Sequence, residues 1–374
     1  MKNVLIVYHY IAHYRLPLYR ILSRSDSPSY TFCSGTKSEI SIKKADVKLA
    51  EMPVSEGGIK WILIKNWWLS KPFLIQFSVL KLSLSRKYDT IVYLGVMYYL
   101  STWIGAILAK MTGKKVIFWT HGFLKEENNL KGFIRTLFYR LADEILVYGQ
   151  RAKDILISKG FEASRIKLVY NSLDYDNQLH IKAKYQNDSI TELFKNPNLP
   201  TIGFIGRITP TKKIGMLLEM LQQINKGDQK INLLIIGGGE QEEMLKKKAQ
   251  ELELEDYTLF YGPCYDEVMI YKLMQTMKVI VSPGEVGLTA IHALTYGIPV
   301  VTHNRFDKQG PEFEAIIPDK TGDFFEYEDL ESMKNITLKW LLEKDKSLIE
   351  KDCNNVIDNY YNPYVQKKIF DSVV

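Results

Sequence analysis

Cysteine is scarce in this chain: Cys33, Cys264 and Cys353 are the only three among 374 residues. Odd in number and far apart, they exclude a disulfide framework and a zinc knuckle, and they fit a reducing compartment. A leader is not expected either. Residues 1–8, MKNVLIVY, are too short and too strand-like for a signal peptide, so the fold is expected to start with the chain. One charge-free run, Thr90 to Ala109, reaches the length of a membrane span. Gly95 divides it into a β-branched run, TIVYLG, and a stretch carrying Tyr98, Tyr99, Ser101 and Thr102. A buried strand followed by a buried helix explains that pattern better than a span. With 46% hydrophobic and 25% charged residues, disordered and fibrous classes are excluded as well.

What is present is a repeating alternation of short apolar strands and amphipathic helices. NVLIVYH (3–9), YTFCSG (30–35), TIVYLG (90–95), KVIFWTH (115–121), EILVYG (144–149) and IKLVYN (166–171) read as strands buried on both faces. The pattern lapses over 181–199 into polar sequence ending in NPNLP. It restarts with TIGFIGR (201–207), INLLIIGGG (231–239), YTLFYG (257–262), KVIVSPG (278–284) and PVVTHN (299–304), with helices expected near 212–226, 240–253, 265–277 and 287–296. Length and pattern together predict two doubly wound α/β domains, 1–180 and 200–350, joined by the 181–199 linker. The last segment, 351–374, is expected to be helical and to pack back across the junction. Ligands of such sheets bind beyond the carboxyl ends of the strands, so a cleft between the domains is the expected site.

Charge is divided unevenly. Residues 1–180 hold 26 lysines and arginines against 14 acids, and the remainder holds 23 against 29. A basic half suggests an anionic counterpart: a phospholipid surface, nucleic acid or a phosphorylated substrate. Nucleic acid is disfavoured, because no stacking platform or groove-reading motif accompanies the charge. GGIKWILIKNWWLSKPFLIQF (57–77) mixes lysines with tryptophans and phenylalanines and suits an interfacial membrane patch, although core aromatics beside solvated lysines read the same way.

Three stretches of the second half could carry chemistry. GFIGRITPTKK (203–213) puts Gly206, Arg207 and Lys212 at a strand-to-helix turn, where two fixed cations suit a diphosphate. IIGGGEQEE (235–243) places Gly237, Gly238 and Gly239 between strand and helix, without the GxGxxG spacing of a dinucleotide site. In SPGEVGLTAIHALTYGIPVV (282–301) an irregular loop opens a helix at Gly287, Leu288 and Thr289, with Glu285 before it and His292 within it. A solvated turn, a tight turn and a capping carboxylate are the respective structural alternatives.

Together these stretches resemble the nucleotide-sugar half of glycosyltransferase family 4, retaining enzymes of the GT-B fold. GPEFEAIIPDKTG (310–322) loosely matches a further family stretch. The resemblance implies that Arg207 and Lys212 bind the sugar donor's diphosphate, that Glu285 holds the transferred sugar, and that the glycine segments and His292 line the nucleotide. It departs at the family's pair of glutamates, whose positions fall on Gly284 and His292 with Glu285 one place late. In the first half, FWTHGF (118–123) ends a strand at His121, where family members often carry a histidine near the sugar. HYIAHYRLPLYR (9–20) resembles the family's first loop and helix, which puts His9, His13 and Arg15 on the acceptor side. No metal is expected: Asp174 and Asp176 are a carboxylate pair that chance supplies readily, and fixed cations can offset a diphosphate.

The implied activity is transfer from a nucleotide sugar, a UDP-sugar being expected, to a lipid-linked or glycan hydroxyl with retention. Surface polysaccharide assembly at the cytoplasmic membrane face would suit both the basic half and the aromatic patch. Two other readings stay open: a nucleotide-sugar epimerase of similar architecture, and a silent fold kept for membrane or partner binding.

Overall fold

The computed structural model describes residues 2–36, 43–188, 190, 192–342 and 345–374. It divides into two compact units, Met1–Asp174 with Asn362–Val374, and Tyr175–Tyr361. In the first unit the strands are β1 (Asn3–Tyr8), β2 (Ser29–Ser34), β3 (Trp61–Leu63), β4 (Trp67–Ser70), β5 (Phe73–Ile75), β6 (Thr90–Leu94), β7 (Lys115–Thr120), β8 (Glu144–Val147) and β9 (Ile166–Leu168). Seven of them form a parallel sheet in the order β3-β2-β1-β6-β7-β8-β9, while β4 and β5 make a separate antiparallel hairpin. The continuous apolar runs have a direct cause: both sheet faces are covered. Ile6, Val92 and Ile117 belong to a core on one face, and Leu5, Ile91 and Val116 to a core on the other. Full burial of such side chains stabilises by about 1.5–3 kcal/mol each.

The second unit holds β10 (Thr201–Ile205), β11 (Asn232–Ile236), β12 (Thr258–Gly262), β13 (Met277–Ser282), β14 (Val300–His303) and β15 (Gly322–Phe325). They form one parallel sheet in the order β12-β11-β10-β13-β14-β15. In each sheet the strand order reverses once, between β1 and β6 and between β10 and β13. In the first unit the helix after β1, Leu16–Ser23, feeds one core and the helix after β6, Leu100–Met111, feeds the other. Chain segments leaving to opposite faces open a crevice at the carboxyl edge, where α/β sheets bind ligands.

Several expectations change. The helix Tyr175–Tyr185 occupies the end of the expected first domain and part of the expected linker, so the division falls at Asp174/Tyr175 rather than at 180. The 351–374 segment is not one element. Helix Lys346–Tyr360 belongs to the second unit, whereas helix Pro363–Val373 belongs to the first, with Asn362 accepting from the amides of Tyr364 and Val365 as its cap. Phe370 of that last helix is fully buried, 5.0 Å from the Trp119 ring centre. The edge strand β15 and the small strands β3 to β5 were not foreseen. Thr90 to Ala109 becomes β6 and part of a helix, and among the described residues no helix is long and apolar enough to cross a membrane.

Candidate functional site

In the second unit the reversal point gathers the residues singled out in the sequence. β10 ends at Gly206, whose φ of +151° and whose amide bond to Ile236 O turn the chain so that Arg207 is exposed beyond the sheet edge. A Cβ on Gly237 would lie 1.8 Å from Gly206 O, and one on Gly239 would lie 2.2 Å from Ile208 O. Two strand ends touching backbone to backbone therefore account for these glycines, and Gly238 is hemmed in by the Pro263 ring. The tight-turn reading explains their identity. Their effect on the site is to hold the Arg207 turn in place.

Lys212 closes the single helical turn Pro210–Lys212 and donates from Nζ to the Glu285 carbonyl. Burial pushes its ammonium below the ordinary lysine range and nearby Arg207 adds to this, while the carboxylates of Glu285 and Glu312 oppose it. A cation destabilised in this way favours an incoming anion. The neighbouring Lys213, at φ +53°, turns away to bond Tyr327 and Glu328.

The loop after β13 packs directly on this turn. A Cβ on Gly284 would lie 2.0 Å from Thr211 O and 2.8 Å from the Lys212 Cα. No side chain fits there, so this position requires glycine and the carboxylate stands one residue later, at Glu285. Gln309 steadies the loop: its Oε1 accepts from Val286 N at 3.0 Å, and its amide nitrogen reaches Thr302 Oγ1 at 2.9 Å. The Glu285 and Glu312 carboxylates converge on Gly310, since a Cβ there would lie 3.1 Å from the first and 2.8 Å from the second. Sequence reasoning passed over Glu312, although its Pro-Glu signal lay within the GPEFE stretch.

Two expected ligand contacts have structural employment. Thr289 donates its hydroxyl to Ile205 O at 3.0 Å, tying its helix to the end of β10. His292 lies 2.8 Å from Glu267 Oε1, which also accepts from Tyr296 at 2.6 Å and Gln178 at 3.0 Å. Burial works against the Glu267 carboxylate, but its bonds from His292, Tyr296 and Gln178 bring its pKa down to about 2. An ionised Glu267 only accepts, so His292 Nε2 carries a proton and one ring nitrogen is already spent. Nothing in the sequence marked Glu267 as this partner. Gly287, at φ +55°, and Leu288 form the approach to the same helix.

In the first unit, His9, Arg15 and His121 come together at the carboxyl ends of β1 and β7. Arg15 is 5% exposed, donates to Tyr148 OH at 2.7 Å, and lies 4.6 Å from the Trp119 ring centre. Burial and the nearby guanidinium lower His9 to about 4; His121 is exposed at its strand end, and solvent there limits a shift in the same direction. His13 stands apart. It is exposed and senses Lys43, Arg20 and Asp174 instead.

Two Rossmann-like α/β units with these sheet orders define the GT-B fold. The whole chain superposes on solved GT-B structures at low identity: a lipopolysaccharide outer core galactosyltransferase, WaaB, at a TM-score of 0.71 and 16% identity, covering 100% of this chain and 99% of that one. Anabaena HepE, solved in complex with UDP, gives 0.71 and 18% over the same shares. Residues 186–362 match the family model described as glycosyl transferases group 1. A curated relative, the poly(ribitol-phosphate) alpha-N-acetylglucosaminyltransferase of Staphylococcus aureus (strain COL), is 27% identical over 214 residues. That match covers 55% of this chain and 41% of the relative, so the chain spans well under two thirds of the relative's length.

Proposed function

We propose that this protein is a retaining glycosyltransferase that moves a sugar from a UDP-sugar to a hydroxyl of a lipid-linked or glycan acceptor. The second unit binds the sugar donor and the first receives the acceptor. The observation that carries the reading is the pairing of Arg207 with a destabilised Lys212 at the β10/β13 reversal. Charge accumulates on the diphosphate as the glycosidic bond to it breaks. Cations already fixed beside it, in a partly desolvated site, stabilise that charge without a metal ion. Glu285 orients the sugar hydroxyls. The similarity to a UDP-bound structure and to an N-acetylglucosaminyltransferase supports the nucleotide and the reaction class.

The reading extends to surface polysaccharide assembly, with the first unit resting on the cytoplasmic membrane face through residues 57–77. Within it Trp61 is buried, its Nε1 donating to Ser34 Oγ at 3.0 Å, while Leu63, Trp67, Leu69, Phe73 and Phe77 are exposed, the last four on and beside the hairpin.

Calorimetric titration of UDP, GDP and CMP tests the sugar-donor assignment. UDP is expected to bind selectively. Arg207→Ala and Lys212→Ala are each expected to weaken it by roughly tenfold or more, since a hydrogen bond to a charged group contributes about 1.5–3 kcal/mol. Binding of none of the three by folded wild-type protein would overturn the reading. Incubating a UDP-sugar without acceptor separates the epimerase alternative, which would convert its substrate.

A further inference from the structure

The first unit contains a buried cation with no acid to balance it. Arg15 ends the His13–Arg15 turn just before helix Leu16–Ser23, with its amide bonded to Ala12 O. Rings surround its guanidinium: Trp119 at 4.6 Å, Tyr14 at 5.2 Å, Tyr148 at 5.3 Å and Tyr8 at 5.6 Å from Cζ to centroid. Among the described residues its one side-chain hydrogen bond goes to Tyr148, and no carboxylate enters its surroundings. Ring faces attract a cation, but they accept few of the five N–H bonds that a guanidinium offers. A buried charge left in this state is costly, and such charges are ordinarily paired.

A second, independent observation points the same way. His9 follows β1, is 8% exposed, and has both ring nitrogens buried with no partner among the described residues. Its ring is close enough to Arg15 to feel that charge, as is the ring of His121, which lies 4.5 Å from Tyr148. Both histidines are neutral near pH 7 and so supply hydrogen bonds rather than charge. The set therefore offers a single positive charge with polar groups around it. It stands at the β1/β6 reversal, the place in this sheet corresponding to that of Arg207 and Lys212 in the other.

We infer that the first unit binds a singly charged oxyanion, a carboxylate or a phosphodiester, borne by the acceptor, with Arg15 supplying the charge and His9 and His121 the flanking hydrogen bonds. This rests on the reading of the first unit as the acceptor side. It makes the acceptor an acidic glycan or a phosphodiester-linked polymer rather than a neutral one.

The test uses the full chain and paired probes. In the carboxylate arm, methyl glucuronoside is titrated against neutral methyl glucoside. In the phosphodiester arm, bis-glycerol phosphate is titrated against glycerol. In one arm the charged probe is expected to bind at least about tenfold more tightly than its neutral counterpart. Arg15→Gln is expected to remove that preference, and Arg15→Lys, which keeps the charge but not the planar fork, to retain part of it. If the glutamine variant does not fold, the lysine variant gives the comparison, and a charge preference undiminished in it would overturn the role of the planar fork. Charged and neutral probes binding within twofold of each other in both arms, or a charge preference surviving in Arg15→Gln, would overturn the inference. UDP titrated into the same samples reports on the second unit. UDP binding without an anion preference sinks this inference alone, and an anion preference without UDP binding sinks the sugar-donor reading alone.

Discussion

Gly284 shows how much can rest on one position without a side chain. Its lack of a side chain lets the loop after β13 rest on Thr211 O and Lys212 Cα. Gly284→Ala is therefore expected to displace the Lys212 turn, with an overpacking cost of about 1–3 kcal/mol and a loss of UDP affinity, read by thermal unfolding and calorimetry together. Unchanged affinity would mean that the loop can move without disturbing the cation. Ionisable residues give a second prediction at this scale. His9 has a folded pKa of about 4 against 6.5 when unfolded, so the unfolded chain takes up a proton first as the pH falls. Stability is expected to decline between pH 6.5 and 4 on its account, and then between about 4.5 and 2 as Glu267 is protonated. Urea unfolding of wild type and His9→Gln from pH 7 to 4.5 checks the first window. A slope unaltered by the substitution would remove His9 as its source.

Among the elements, the helix Leu130–Tyr139 has two apolar faces. Phe138 and Tyr139 are buried in the core, while Leu130, Phe133, Ile134 and Leu137 recur at helical spacing on its exposed side. This helix, Leu100–Met111 and Phe77–Leu84 carry lysine or arginine but no acidic residue. An outward apolar stripe suits a lipid surface and extends the proposed membrane face beyond the hairpin, although the helix's cations Lys131 and Arg135 are paired with Glu127 just before it. The double substitution Phe133→Ser with Leu137→Ser is expected to leave folding stability nearly unchanged. Binding to phosphatidylglycerol vesicles in a sedimentation assay is expected to fall at least about tenfold, since each inserted side chain contributes about 1.5–3 kcal/mol. Equal binding by the variant would confine the contact to residues 57–77 or remove it.

At the scale of the whole molecule, the chain completes the first unit with its last helix. Phe370 is fully buried, Tyr30 OH donates to Asp371 at 2.8 Å, and Lys2 Nζ reaches Val374 O at 2.8 Å. Phe370→Ala is expected to cost about 3–5 kcal/mol, all of it in the first unit. Scanning calorimetry should show one transition lowered and the other unmoved, whereas a common shift would mean that the two units unfold as one. The charge division follows the same partition: the basic half lies largely in the first unit, and the acidic half in the second.

Apart from β3 to β5 and β15, the strands, the existence of two α/β units and the Arg207–Lys212 turn were legible from residue order because each depends on neighbours in the chain. Apolar runs demand burial on both faces, and a glycine ending a strand demands a turn. Other features needed the folded chain. Lys212 and Lys213 are adjacent and alike, and only packing directs one to Glu285 and the other to Tyr327. His292 and Glu267 lie 25 positions apart, and Arg15 and Tyr148 133 apart. Pattern and composition are local quantities, which determined the class of fold and the candidate cations. Which charges are paired, which stand alone and which helix returns to the first unit depend on contacts between distant segments, and tertiary structure alone decided them.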